Sequence, residues 1–325
     1  MMRRTLPLLL SSALALLYPL LVSGSAVYQR LGALVLLSAI GASAWNLIGG
    51  YAGQVSVGHA VFFGAGAYAA LAGYAQFALP PIAGAPIGVA VAILIAALIG
   101  VPTLRLSGHY FSMATIAVAE LVRVLVTNWQ WVGGAQGISG PAVPRNFLDL
   151  SFASALPYYY LFLIVLAAIL ALTRRIEAGR MGYYLRAIKD SERAARALGV
   201  AAGRYKLYAY MLSAGLTALA GTLYAIMFGF IDPDSGCGIL ISVKMPIIAA
   251  LGGSGLLLGP LVGALILVPL EEISNSLLGG QGAGLTFVAY GAIIVVIARF
   301  LPNGILALLP IGAGRRAPGE PRDAA

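Results

Sequence analysis

The sequence holds a single cysteine, two histidines and three lysines in 325 residues, and only a tenth of it is charged. Cys237, being alone, excludes an intrachain disulfide and a Cys-based metal site; it reads as a small loop residue rather than a reactive thiol. His59 and His109 lie far apart, so neither a metal cluster nor a nucleophile–base set is evident, which argues against a membrane-embedded enzyme. Lys189, Lys206 and Lys244 all follow residues other than glycine. No Gly-x-x-x-x-Gly-Lys-Ser/Thr loop is therefore present to cradle nucleotide phosphates. Soluble domains carry roughly a quarter charged residues. Here 60% of residues are hydrophobic, 10% are charged and the mean hydropathy is +0.93, which excludes that class.

What is present is a succession of apolar runs near residues 5–22, 31–48, 59–79, 86–104, 108–127, 157–173, 205–229, 243–258, 260–276 and 285–300. Each is close to the ~20 residues that a helix needs to cross the hydrocarbon. They predict an all-α polytopic integral membrane protein of about ten transmembrane helices. The runs around Gly252-Gly253-Ser254-Gly255 and Gly259-Pro260 fit two short crossing helices or one re-entrant hairpin. Residues 1–310 read as one transmembrane domain, and the Gly/Pro/Arg-rich 311–325 as a disordered cytoplasmic tail. The first run fits either a retained span or a cleaved signal peptide. Trp129 and Trp131 lie in the longest external connection, 128–156, and suit a membrane interface.

Lys and Arg outnumber Asp and Glu by 20 to 11, but they sit in short loops rather than on a soluble surface, which excludes nucleic acid as a partner. With a cytoplasmic N-terminus and ten spans, sixteen basic residues fall inside and three outside, Arg123 lying within a span. This bias puts both termini in the cytoplasm. Glu120 and Arg123, three apart on one helix, predict an ion pair within the membrane. Glu271 and Glu272 read as solvated near an external helix end, and His109 as lying at the internal boundary near Arg105.

Residues 49–68 break the apolar pattern with glycines and polar side chains. Backbone freed by such a break is tolerated only against protein or a wet cavity, so a broken segment marks a candidate solute pathway. Small residues also permit close helix packing, the competing explanation. Gln54, Ser56 and His59 add polarity that packing does not need. Gly50, Gly53, Gln54, Ser56, Gly58 and His59 are the candidate pathway residues.

The only long internal connection, 174–206, carries nine basic and three acidic residues. Helical periodicity over Met181–Leu198 places Met181, Tyr184, Leu185, Ile188 and Ala195 on one face, beside a basic stripe of Arg186, Lys189, Arg193 and Arg196. Gly199 stands where a C-cap is expected. The pattern fits a helix on anionic lipid, a topology signal, or a short helix seated in a groove of a cytoplasmic partner.

Gly50-Tyr51-Ala52-Gly53-Gln54-Val55-Ser56-Val57-Gly58-His59-Ala60, with Phe62-Phe63-Gly64 and Gly66-Ala67-Tyr68, resembles the signature of high-affinity branched-chain amino acid ABC-transporter permeases, of the M-type rather than the H-type. Leu185-Arg186-Ala187-Ile188-Lys189 with Glu192, Ala194-Ala195 and Ala197-Leu198-Gly199 is similar to the coupling loop of that family. Leu251–Gly255 with Gly259-Pro260 and Gly263-Ala264, and Tyr290 through Phe300-Leu301-Pro302-Asn303-Gly304-Ile305, agree with it. The resemblance covers about residues 31–310.

It implies a permease subunit in the bacterial inner membrane that forms the pathway for branched-chain amino acids or similar small solutes. It also implies two separate ATPase subunits that bind the ATP, an H-type second permease and a periplasmic solute-binding protein, with membrane lipid around the chain. The chain itself would be no enzyme and would hold no cofactor. Coupling would fall to Arg186, Ile188, Lys189, Glu192, Ala195 and Gly199. The general importer pattern reads Glu-Ala-Ala before the glycine; here Arg193-Ala194-Ala195 takes that place and Glu192 stands one position early. An ion-coupled secondary transporter is the alternative. The choice among branched-chain amino acids, urea, amides and other solutes stays open.

Overall fold

The computed structural model describes residues 17–19, 22, 25–106, 108–140, 149–152, 154–278, 291, 295, 299 and 304–308. Helix α1 (Ala26–Asn46) runs into a π-helical turn at Leu47–Tyr51. After a non-helical stretch come α2 (Ala60–Phe77), α3 (Gly84–Thr103), α4 (His109–Asn128) and α5 (Ala155–Ala178). Two short helices, α6 (Arg180–Asp190) and α7 (Glu192–Ala197), precede α8 (Ala202–Phe228). The five-residue α9 (Pro233–Cys237), α10 (Ile239–Gly252) and α11 (Gly259–Leu278) complete the described bundle.

Seven described segments are long and apolar enough to cross a membrane: α1 with its π turn, α2, α3 with the turn before it, α4, α5, α8, and α9 joined to α10. The chain is an all-α polytopic membrane protein. Helix α11 is as long as several of these and carries Pro269, Glu271 and Glu272 in its second half. The expected runs at 5–22 and 285–300 fall largely outside the described residues. The two runs around the glycine cluster are an antiparallel pair, α10 and α11, joined by a turn at 253–258. The first of them starts at Ile239 and stops at Gly252, because Gly253 takes φ +122, which ends regular helix.

Helices that share a lipid environment gain little from burying apolar surface against each other, so close backbone approach has to supply the attraction. Glycines provide it at two crossings. A Cβ at Gly66 of α2 would collide with the carbonyl oxygen of Ala218 in α8, and one at Gly221 of α8 with that of Phe63 in α2. Thr222 Oγ1 donates across this seam to Gly66 O at 3.0 Å. In the α10–α11 pair, Gly252 lies against Gly259 O, and Gly263 against Ile248 O. One core joins α1, α5, α8, α10 and α11, and a second joins the end of α1 with α2, α3, α4, α6 and α8.

Chain direction alternates from helix to helix, so the 52–59 break and the 229–238 break lie at opposite ends of the bundle. The α5–α8 connection meets the first break, through Lys189 and Gly50. The α4–α5 connection meets the second, through a two-residue strand pair, Ile138 opposite Ile231 and Ser139 opposite Phe230. Cys237, expected in a loop, instead ends α9 and is buried, its Sγ against Gly64. Trp129 and Trp131 stack with centroids 6.0 Å apart and stay exposed, as an interfacial position requires.

Gly66→Ala is expected to lower the thermal midpoint of the detergent-solubilised protein by several degrees, since overpacking costs about 1–3 kcal/mol. Gly73→Ala in the same helix meets nothing within 4 Å and should leave the midpoint unchanged.

Candidate functional site

The break begins where the α-helical ladder gives out. In the π turn Gly49 lies against the Trp45 ring, and Gly50 fits between Asn46 Oδ1 and the Gly255 amide, where no Cβ has room. Gly53 turns the chain at φ +70, and Gly58 passes against the Thr115 carbonyl. Every freed backbone group needs a partner in such a setting. Trp45 Nε1 donates to Ser56 O at 2.7 Å, Ser112 Oγ to Val55 O at 2.6 Å, and Val57 N to Thr115 Oγ1 at 3.1 Å. Asn46 clamps the 253–258 turn: its Oδ1 accepts from Gly255 N at 2.8 Å, and its Nδ2 donates to Leu256 O at 3.1 Å.

His59 is fully buried between Ser56 Oγ, 3.0 Å from Nδ1, and Ser213 Oγ, 2.9 Å from Nε2. Ser213 spends its own proton on Ala44 O at 2.6 Å, so its oxygen accepts from His59. This assigns the neutral tautomer with the proton on Nε2 and Ser56 donating to Nδ1. Ser56 and His59 therefore close the break from inside, whereas Gly53 and Val55 are exposed and Gln54 half-buried. Ser213, Asn46, Thr115, Ser112 and Trp45 escaped the sequence reading. Each is a polar or aromatic residue in an apolar helix, and no local pattern points from it to a partner 11 to 210 residues away.

Lys189 ties the loop to the break. Its Nζ donates to Gly50 O at 2.8 Å, a carbonyl that the break leaves without a helical partner, and its stem passes over Gly53. The helical run expected over Met181–Leu198 is two helices, because Ser191 turns to φ −158, ψ 104 and caps α7, accepting from Ala194 N. Gly199, at φ +84, closes α7 as expected: its amide bonds Arg196 O and the Val200 amide bonds Ala195 O, both at 3.0 Å. This is a Schellman ending, in which glycine takes the left-handed position.

Ile188 and Ala195 are buried together against Ala202. They face their own chain, so a partner would meet a different surface, in which Arg193, Ala194, Arg196, Ala197 and an 86% exposed Leu198 point outward. Arg186 pairs with Glu177 at 3.2 Å. Glu192 accepts from buried Lys206 at 2.6 Å and from Arg196 at 2.5 Å. Burial opposes ionisation of Glu192, but the Lys206 hydrogen bond and the charges of Lys206 and Arg196 outweigh it and hold the carboxyl below its usual range.

Glu120 and Arg123 pair as expected, at 2.5 Å, and Arg123 also reaches Asp234 of α9 at 2.9 Å. Glu271, expected to be simply solvated, instead pairs with Lys244 of α10 at 2.5 Å.

A multi-pass helical bundle with a hydrogen-bonded, non-helical connection between two spanning helices and a structured basic loop docked on that connection belongs to the membrane-transport class. The chain belongs to the family described as "Branched-chain amino acid transport system / permease component", whose profile matches residues 29–299. It is 27% identical over 316 residues to the high-affinity branched-chain amino acid transport system permease protein LivM of Escherichia coli (strain K12), covering 90% of this chain and 72% of that protein. The autoinducer 2 import system permease protein LsrC of Klebsiella pneumoniae subsp. pneumoniae is 30% identical over 174 residues, 52% of this chain and 48% of that one. The solved structure of PsaBC from Streptococcus pneumoniae in complex with Fab superposes with a TM-score of 0.44 at 16% identity, over 87% of this chain and 93% of that chain.

Ser213→Ala strands the His59 Nε2 proton and is expected to cost about 1–3 kcal/mol in unfolding measurements, while Gln54→Ala should cost little. Because the folded pKa of Glu192 is depressed, its contribution is present above the ordinary carboxylate range and fades as pH falls through the folded value. Proteolysis between 191 and 204 should therefore quicken in acid, and already be fast at neutral pH in Glu192→Gln.

Proposed function

We propose that this chain is the pathway-forming permease subunit of an ATP-driven importer in the bacterial inner membrane. It would pass branched-chain amino acids or similar small solutes and couple through its 174–206 loop to separate ATPase subunits that bind the ATP. The observation that carries the coupling is the Lys189–Gly50 bond, which joins the loop to the break at 2.8 Å. Family membership and the likeness to LivM over nine-tenths of the chain support the solute class. An H-type second permease and a periplasmic binding protein complete the proposed assembly, on the strength of relatives named LivM and LivH.

In this reading Gly50, Gly53 and Gly58 set the path of the broken segment, Gln54 meets the solute route, and Ser56 and His59 hold the break in register. Ile188 and Ala195 seat the loop on its own chain. Arg186, Lys189, Glu192 and Gly199 shape it. Arg193, Arg196 and Leu198 make the contact with the ATPase. The positive bias of this loop supports a cytoplasmic position for it and for both termini, with ten spans in all.

In a Cys237→Ser background, a cysteine at 198 should crosslink to the ATPase in the assembled complex, and cysteines at 188 and 195 should not. Crosslinks from 198 that reach only lipid would remove the coupling reading. In intact cells an impermeant thiol reagent should label a cysteine at the exposed position 135 and spare one at 194; the reverse pattern would invert the topology. Leu198→Glu should cut uptake at least tenfold while the protein still accumulates in the membrane.

A further inference from the structure

Between α1, α8, α10 and α11 lies a cavity of about 260 Å³. One water needs only ~10–15 Å³, so this space holds a solute of amino-acid size. Its wall is divided by chemistry. Leu37, Phe63, Met245, Ile248 and Val268 form an apolar side, and Lys244, Glu271, Glu272, Asn275 and Ser38 form a polar one. Gly41 is part of the lining, and Trp45, one turn further along α1, bonds the break at Ser56. The cavity thus sits directly on the far side of the break from the basic loop. Arg30 stands over the ring of the lining residue Phe228, 5.6 Å from its centroid.

Charged side chains on the helices of a membrane bundle are expensive and mark function more often than packing. The Lys244–Glu271 pair is not required to hold α10 on α11, because Gly252, Gly259 and Gly263 already bring those backbones together. Both members of the pair keep a third of their side-chain surface open. Glu272 leaves the polar wall with one carboxylate more than Lys244 balances. Among the described residues it has no ion pair.

We propose that this cavity is a transient binding station for a zwitterionic aliphatic amino acid, an inference that rests on the importer reading above. The solute carboxylate takes Lys244 in exchange for Glu271. The ammonium settles between Glu271 and Glu272, with Asn275 beside it, and the branched side chain lies on Met245, Ile248 and Val268. Lys244 and Glu271 keep a partner through the exchange and Glu272 gains one, so entry leaves no charge stranded in low dielectric. Because the solute replaces an existing ion pair, the net gain is small, which suits a site that must also release.

The test uses the whole complex in nanodiscs, with Ser38→Cys as a reporter labelled by a small maleimide in a Cys237→Ser background. L-Leucine should slow labelling at least threefold; isoamylamine and 4-methylvalerate, each lacking one charge, should not. Lys244→Met and Glu271→Gln should each abolish the protection and lower leucine uptake at least tenfold, while the protein still accumulates in the membrane. The exchange Lys244→Glu with Glu271→Lys keeps the pair and the packing but reverses the poles, and should stay impaired. Asn275→Cys serves as the second reporter if the first fails to assemble. Wild-type leucine uptake with no protection at either reporter overturns the station, as does normal transport by the exchanged pair. Absence of ATP-dependent leucine uptake in the wild-type complex would instead overturn the importer's solute class.

Discussion

Backbone polar groups released from the helical ladder between Ala52 and His59 have to find partners inside the protein, because lipid offers none. Much of the described bundle is arranged around that demand. Trp45, Ser112 and Thr115 take three of the groups, and Lys189 takes the Gly50 carbonyl. Asn46 ties the break to the 253–258 turn, and His59 joins it to α8 through Ser213. A segment held by four separate elements is both rigid in one state and sensitive to displacement of any one of them.

The same arrangement connects the surface to the interior. The exposed tip at Leu198 follows directly on a helix whose Ala195 packs with Ile188 on α6, and Lys189, the next residue, reaches the break. The contact runs from the exposed tip to the end of the first described span through neighbouring residues. Glycine crossings at Gly66 and Gly221, and at Gly252 and Gly263, keep the helices that frame it in backbone contact.

Ionic side chains show where local reading succeeds and fails. Glu120 and Arg123 are three apart, and helical geometry alone brings them together. Lys244 and Glu271 are 27 residues apart on different helices, and their pairing depends on the crossing of α10 and α11. Glu192 looked displaced from the general importer pattern, yet at the first position of α7 it meets Lys206 of α8 and Arg196 one turn on.

What the sequence determined by itself was the membrane class, the approximate extent of the spanning helices, the break at 49–59 and the Gly199 stop. Each of these follows from composition, from apolar length or from the backbone conformations open to glycine, all of which are local properties. Tertiary structure decided which polar groups answer the break, which face of the basic loop is free, and that Ser56 and His59 turn inward. It also decided that a cavity with a divided wall stands beyond the break. Those outcomes depend on residues far apart in the chain meeting across packed helices, and hydrophobic periodicity carries no information about which partner a buried polar group will find.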